Sequence, residues 1–171
     1  ELNNTGYAIR MNVDKSYRLG VELQGEYTPV KWCTWSLNAT FSDNVIKGLR
    51  MSDDTVKDTK IAFSPSVVAS NLFSFRPVQP MRIDFSSRYV GKQYMSNNNI
   101  PESELDGYFV SNIGLSYDFR RGKILPAFTL RGQVNNVFNE MYVSNGAIYG
   151  TDAYYFPQAG TNFMLGVDIK F

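Results

Sequence analysis

The chain is 171 residues long, enough for one domain or a piece of a larger one, and its 17 Lys and Arg balance 16 Asp and Glu. That balance gives no field to recruit nucleic acid, and no run of apolar residues is long enough for a transmembrane helix. With no His and a single Cys, Cys33, the usual catalytic and metal-binding constellations cannot be assembled, so no enzyme site, metal site or cofactor is expected.

A membrane is not excluded by any of this. A barrel strand needs only ~9–11 residues of alternating character to cross a bilayer. Aromatics make up 15% of the chain, with 11 Tyr and 12 Phe, which suits the girdles at a membrane interface. The chain starts at Glu1 without a signal peptide, so it reads as a processed product or a fragment. Cys33 has no internal disulfide partner, and the redox compartment stays open.

Glu1 to Lys15 begins polar and alternates briefly through Tyr7, Ile9, Met11 and Val13, as a short strand or the end of a loop. Ser16 to Thr28 reads as a strand. Leu19, Val21, Leu23, Gly25 and Tyr27 lie on one face, with Arg18, Gly20, Glu22, Gln24, Glu26 and Thr28 on the other. Pro29-Val30-Lys31 marks a turn, and Trp32 to Asp43 returns with Cys33, Trp35, Leu37, Ala39 and Phe41 opposite polar neighbours. These two segments form a hairpin. Residues 44–64 break the alternation and read as a long charged loop. Its acidic trio Asp53, Asp54 and Asp58 lacks the spacing of a known calcium loop and reads as a solvated charge run.

Ser66 to Arg76 is the next strand, with Val67, Ala69, Phe73 and Phe75 outward and Asn71 interrupting the row, a place for a bulge. Pro77 to Pro80 turns the chain into Met81 to Tyr94, which sets Met81, Ile83, Phe85 and Tyr89 against Arg82, Asp84, Ser86, Arg88 and Lys92. A loop at 95–106 precedes Gly107 to Arg120, where Phe109, Ile113, Leu115, Tyr117 and Phe119 share a face. Arg121-Gly122-Lys123 turns into Ile124 to Phe138, and a loop at 139–153 leads to the terminal strand, Tyr154 to Phe171. There Phe163, Leu165, Val167, Ile169 and Phe171 form an unbroken apolar row that ends the chain. A soluble edge strand can carry the same alternation.

No helical stripe or domain linker interrupts this pattern. The connections alternate, short at 29–31, 77–80 and 121–123, long at 44–64, 95–106 and 139–153. Outer-membrane barrels sort their periplasmic turns and extracellular loops in this way, whereas a soluble sandwich has no reason to. The facing follows from cost. An Arg or Lys on the lipid side near the midplane costs roughly 2–4 kcal/mol, and the apolar rows contain none, so they face lipid and the charged rows face a lumen. Trp32, Trp35, Tyr27, Phe75, Tyr89 and Tyr117 fall near strand ends, where aromatic belts form. The expected fold is all-β, an antiparallel up-and-down transmembrane barrel whose seven secure strands form one meander. An odd count does not close a barrel of the usual even number.

Four segments, SYRLGVELQGEYTP, RYVGKQYMSNNN, GQVNNVFNEMY and YYFPQAGTNFMLGVDIKF, resemble the C-terminal region of TonB-dependent outer-membrane receptors. In that family an Asn-x-Phe-Asn segment followed by a Tyr ends the penultimate strand, as with Asn136, Phe138, Asn139 and Tyr142. A Pro, a Gly and an Asn or Arg then introduce the last strand, matched by Pro157, Gly160 and Asn162. The resemblance covers nearly the whole chain. It implies that residues 1–171 are the last seven or eight strands of a 22-stranded barrel in the bacterial outer membrane, whose lumen is filled by an N-terminal plug domain absent here. It also implies import of a scarce nutrient (an iron chelate, cobalamin or a glycan) with energy relayed by TonB. The row Phe163, Leu165, Val167, Ile169 and Phe171 would be the signal read by the barrel-assembly machinery. The rival reading is a complete eight-stranded structural barrel, in which Thr5 to Val13 must cross the bilayer; a soluble all-β binding module is a third. Ligand contacts are expected on the long loops, where Tyr142, Tyr149, Tyr154 and Tyr155 are the candidates for stacking on a flat or sugar-like substrate.

Overall fold

The computed structural model describes residues 13–51, 53–120, 126–149 and 152–170. In chain order the strands are Lys15–Val30 (β1), Cys33–Arg50 (β2), Val56–Lys60 (β3), Val67–Phe75 (β4), Met81–Val90 (β5), Gln93–Tyr94 (β6), Glu104–Leu105 (β7), Tyr108–Phe119 (β8), Ala127–Asn135 (β9), Val143–Tyr149 (β10), Asp152–Pro157 (β11) and Asn162–Lys170 (β12). The helical content among the described residues is one 3-10 turn, Pro101–Ser103.

Seven of these strands form the expected meander. The sheet order is β1-β2-β4-β5-β8-β9-β12, every neighbour antiparallel and every large step a return to the adjacent strand. Among the described residues β1 and β12 end this order and do not pair with each other, so the sheet is an open wall.

Because a strand alternates its faces and the register is regular, side chains of one kind line up across the whole sheet. One apolar row crosses all seven strands, Tyr27–Trp35–Phe73–Phe85–Ile113–Val134–Phe163. Residues of this face remain uncovered by the protein: Leu165 is 84% and Val167 59% exposed, Val21 59%. Hydrophobic area of this extent left open on a folded wall fits hydrocarbon as its solvent. The opposite face carries Glu22, Asn38, Asp84, Ser116, Arg131 and Asp168, as the alternation requires.

Aromatics gather at the short-turn end. Trp32 meets Phe75 edge to face at 5.2 Å, Phe119 stacks on Phe128 at 4.5 Å, and Tyr117 lies 4.7 Å from Phe119. This is the interfacial belt expected of Trp32, Phe75 and Tyr117. Tyr89 belongs to the other end of its strand, opposite Phe109.

Several expected boundaries change. Residues 44–64 are not simply a loop, since β2 runs on to Arg50 and β3 pairs back on it. The charges that suggested solvent are cross-strand partners, Lys47 with Asp58 at 2.6 Å and Lys60 with Asp43 at 2.5 Å. The alternation breaks because Gly48, at φ 63°, sits in a bulge between Ile46 and Leu49 that shifts the face by one residue. Asn71 causes no bulge, as β4 keeps a continuous register with both neighbours. The first turn is tighter than 29–31. Pro29 lies in the irregular last pairs of β1, a position that asks nothing of its missing N–H, and Lys31 and Trp32 turn the chain.

The strand expected over Met81 to Tyr94 ends at Val90. At Gly91 a Cβ would stand 3.2 Å from the Val67 carbonyl, and the chain then forms a separate two-stranded sheet, β6 with β7, inside the expected loop 95–106. The last correction is the largest. Tyr154 to Phe171 is not one strand, because Asp152–Pro157 pairs with Val143–Tyr149 as a hairpin of its own and only Asn162–Lys170 joins the wall. Together Met95, Leu105 and Ile148 form a small core where this hairpin meets the β6–β7 loop. The turn 121–123, the segment Thr5 to Asn12 and Phe171 lie outside the described residues.

Candidate functional site

The long connections stand at one rim of the wall, and the chain itself ties them down there. After β9, Asn136 takes a left-handed conformation at φ 49° and is 3% exposed. Its Nδ2 donates to the carbonyls of Glu140 (2.9 Å) and Ala159 (3.2 Å), and its Oδ1 accepts the Glu140 N–H at 2.8 Å. Asn139, at φ 53°, accepts the Thr161 N–H at 3.0 Å, while the Thr161 hydroxyl donates to the Asn136 carbonyl at 2.7 Å. A Cβ at Gly160 would meet Asn139 Oδ1 at 2.5 Å and push that oxygen off the Thr161 N–H. The Asn-x-Phe-Asn segment is therefore a clamp joining the end of β9 to the start of β12.

The clamp delivers Tyr142 to the polar face. Gln158 N–H donates to the Tyr142 carbonyl at 3.0 Å, and the Tyr142 ring lies on Tyr108 with centroids 4.4 Å apart and planes tilted by 32°. Burial pushes the Tyr142 hydroxyl above its ordinary value of 10.0; Tyr108 adds to the rise and the nearby Arg88 charge opposes it. Beside this pair is a cavity of about 350 Å³ lined by Arg88, Asn112, Asn135, Asn162 and the two tyrosines, among others. A second cavity of about 380 Å³ continues past Tyr142 and Gln158 toward Glu104 and Tyr155.

The four candidate tyrosines do not form one cluster. Tyr142 is in the cavity. Tyr155, opposite Gly146 on the hairpin, shares its face with Ile148 and donates its hydroxyl to the Glu102 carbonyl at 2.8 Å, so it fastens the hairpin to the 3-10 turn. Tyr154 and Tyr149 lie on the other face of that hairpin, 53% and 39% exposed. The alternation set Arg88 on the polar face, but Arg88, Tyr108 and Asn112 were not among the ligand candidates. Their position one short step below the rim on the polar face was the available signal, but the pairing of strands was needed to bring them together.

Elsewhere on the polar face two arginines have carboxylate partners and one carboxylate a hydroxyl. Arg82 pairs with Asp84 at 2.8 Å, Arg131 with Asp168 at 2.5 Å, and the Thr129 hydroxyl donates to Asp118 at 2.6 Å. The acidic trio is dispersed over different partners: Asp53 accepts from Thr55, Asp54 faces Arg50 at 3.9 Å, and Asp58 pairs with Lys47. Among the described residues no group of three His, Cys, Asp or Glu could hold a metal ion.

A two-faced antiparallel wall with an oily side, an aromatic belt and loops sorted to one rim defines an outer-membrane barrel. The chain belongs to the outer membrane protein β-barrel family, whose profile matches residues 1–168, and so to the bacterial outer membrane. Solved receptors share the fold. The closed form of the ferric-catecholate import receptor Fiu of E. coli K12 is similar at TM-score 0.69 and 18% identity, over 89% of this chain and 20% of that one. The siderophore receptor PiuA of Acinetobacter baumannii is similar at TM-score 0.68 and 16% identity, over 91% and 22%. The ferric yersiniabactin uptake receptor FyuA of Yersinia pestis is similar at TM-score 0.67 and 16% identity, over 88% and 22%. The chain thus spans about a fifth of the length of these receptors. None of the curated proteins matches the sequence.

Proposed function

We propose that this chain is a wall segment of a TonB-dependent outer-membrane transporter that imports a scarce small nutrient, with the iron chelates favoured over cobalamin or glycans. The observation that carries the reading is the seven-strand meander with one lipid face, similar in fold to part of a ferric-catecholate import receptor and of a ferric yersiniabactin uptake receptor. At 18% and 16% identity that likeness is one of fold. A plug domain filling the lumen, TonB as energy source and the barrel-assembly machinery are the partners this reading requires, and barrels of that size do enclose a plugged lumen.

Energised uptake tests it. Cells carrying the full-length protein should accumulate radioiron from a suitable ferric chelate, and loss of TonB or collapse of the proton-motive force should abolish the accumulation. Uptake that persists without either would mean a passive pore or a structural barrel.

A further inference from the structure

We infer that the rim cavity under Tyr142 binds an anionic group of the ligand, with Arg88 as its counter-charge and the Tyr108–Tyr142 pair as the flat surface beside it. The inference deepens the transporter reading and rests on it only for why a ligand should reach this rim.

Three observations carry it. Arg88 is exposed on the polar face and, among the described residues, pairs with no carboxylate, although Arg82 and Arg131 on the same face each have one. It is the single charged group lining the cavity, and no Asp or Glu lines it among the described residues. The remaining polar groups lean the same way. Asn112 spends its Oδ1 on the Asn136 N–H at 2.9 Å, which leaves its amide as a donor. A planar fork of five N–H donors next to an amide donor is suited to a carboxylate-like or other oxyanion acceptor rather than to a cation. Both tyrosine rings are held in place, Tyr108 by β8 and Tyr142 by the Asn136 clamp, so a conjugated or ring-bearing ligand meets a preformed surface.

Arg88 differs in its pairing from Arg82 and Arg131, the two paired arginines of the face, and from Arg18, whose guanidinium donates to the Ser64 hydroxyl. Around Arg82 and Arg131 the wall is already neutralised at close range, and an anion there would compete with a bonded carboxylate. At Arg88 it would not. Arg88 stands opposite Ser70 on one side and Val110 on the other, so neither flanking strand supplies an acid.

The test uses two probes of one shape, benzoate and its neutral isostere benzamide, with the purified full-length protein and ligand-observed NMR titration. The wild type should bind benzoate about tenfold more tightly than benzamide, the difference expected between a charge-assisted pair and a neutral hydrogen bond. Arg88→Gln should bring the ratio to about one with benzamide binding unchanged, and Tyr142→Ala should weaken both probes alike. Lys92→Gln, which loses a rim cation already paired with Glu104 at 3.2 Å, should leave the ratio as in wild type. Arg88→Lys covers the case of a Gln variant that does not fold. By keeping the charge without the fork it should retain only part of the preference.

A wild type without a benzoate preference would overturn the inference. A full preference in Arg88→Gln, or in Arg88→Lys where that variant must serve, would overturn it as well. Binding needs no TonB and no energy supply, so such a failure leaves energised uptake as a separate question.

Discussion

The Asn136 side chain is bonded at both of its polar ends to the backbone of Glu140, donating to its carbonyl at 2.9 Å and accepting its N–H at 2.8 Å. A side chain that replaces two missing ladder bonds, in a residue at φ 49°, is a demand that few residue types can meet. Asn136→Ala should therefore cost about 2–4 kcal/mol, from buried backbone groups left without partners and a conformation Ala resists. Asn136→Asp keeps the acceptor and loses both donated bonds, so it should fall between. Urea unfolding of the full-length protein in lipid vesicles measures this, and a cost below about 1 kcal/mol for the Ala variant would contradict the clamp.

Gly146 permits the hairpin to close on its small core. A Cβ there would lie 2.4 Å from both the Met95 Sδ and the Tyr154 carbonyl, and the second of these is backbone that cannot swing aside. Gly146→Ala should displace β10 from β11 and raise protease cleavage within 143–157, while the wall keeps its stability. Gly25, with open space around its ideal Cβ, is the control at which Ala should do nothing comparable.

The face assignment can be read as an energy. Phe85, mid-strand in β5 and in the row that crosses seven strands, and Ser86, its neighbour on the polar face, differ by one position. Phe85→Arg should destabilise the protein in vesicles by roughly 2–4 kcal/mol, and Ser86→Arg by far less, because only the first puts a charge into hydrocarbon. Equal costs would mean that the rows do not distinguish lipid from lumen.

Beyond the rim, the β2–β3 extension should respond to acid. Asp43 and Asp58 are held below the ordinary carboxyl value of 3.8, chiefly by their hydrogen bonds with Lys60 and with Lys47. Depressed carboxyls stabilise fully above that value, and the contribution is lost as pH falls through their lower folded-state values. The Lys47 ammonium, raised above 10.5 chiefly by its bond to Asp58, contributes below that value and loses its contribution as pH rises further. Protection factors at the Ile46 and Thr59 amides, the exchange rates taken relative to the intrinsic rate at each pH, should thus be flat between about pH 5 and 9 and fall on acidification below that range. Asp58→Asn should remove most of that acid response.

The terminal row remains a proposal. If Phe163, Leu165, Val167, Ile169 and Phe171 are the assembly signal, Phe171→Ser should lower the amount of full-length protein in the outer membrane much more than Lys170→Ser. The burial at stake for such an aromatic is roughly 1.5–3 kcal/mol. The same residue is introduced at adjacent positions, so equal levels would reduce the row to ordinary sheet patterning.

The wall was legible in the sequence because its cause is local. Alternation with a period of two depends on each strand alone, and lipid on one side with polar groups on the other imposes it strand by strand; hence Val21, Leu37, Leu115, Leu130 and Val167 could be placed on one face before any pairing was known. The meander followed from consecutive strands joined in order. What the tertiary structure alone decided lies where pairing is irregular or partners are distant in the chain. Gly48 shifts the face of β2 by a bulge, so a strand of paired charges read as a loop. Tyr154 and Tyr155 read as part of the last strand because β11 alternates too, yet their partners are Ala147 and Gly146. The rim cavity draws Arg88 from β5, Tyr108 from β8 and Tyr142 from a loop held by Asn136, and no local pattern relates the three. Periodicity reports what a residue's own strand requires of it, whereas a site is made by side chains that meet only once the register has been set.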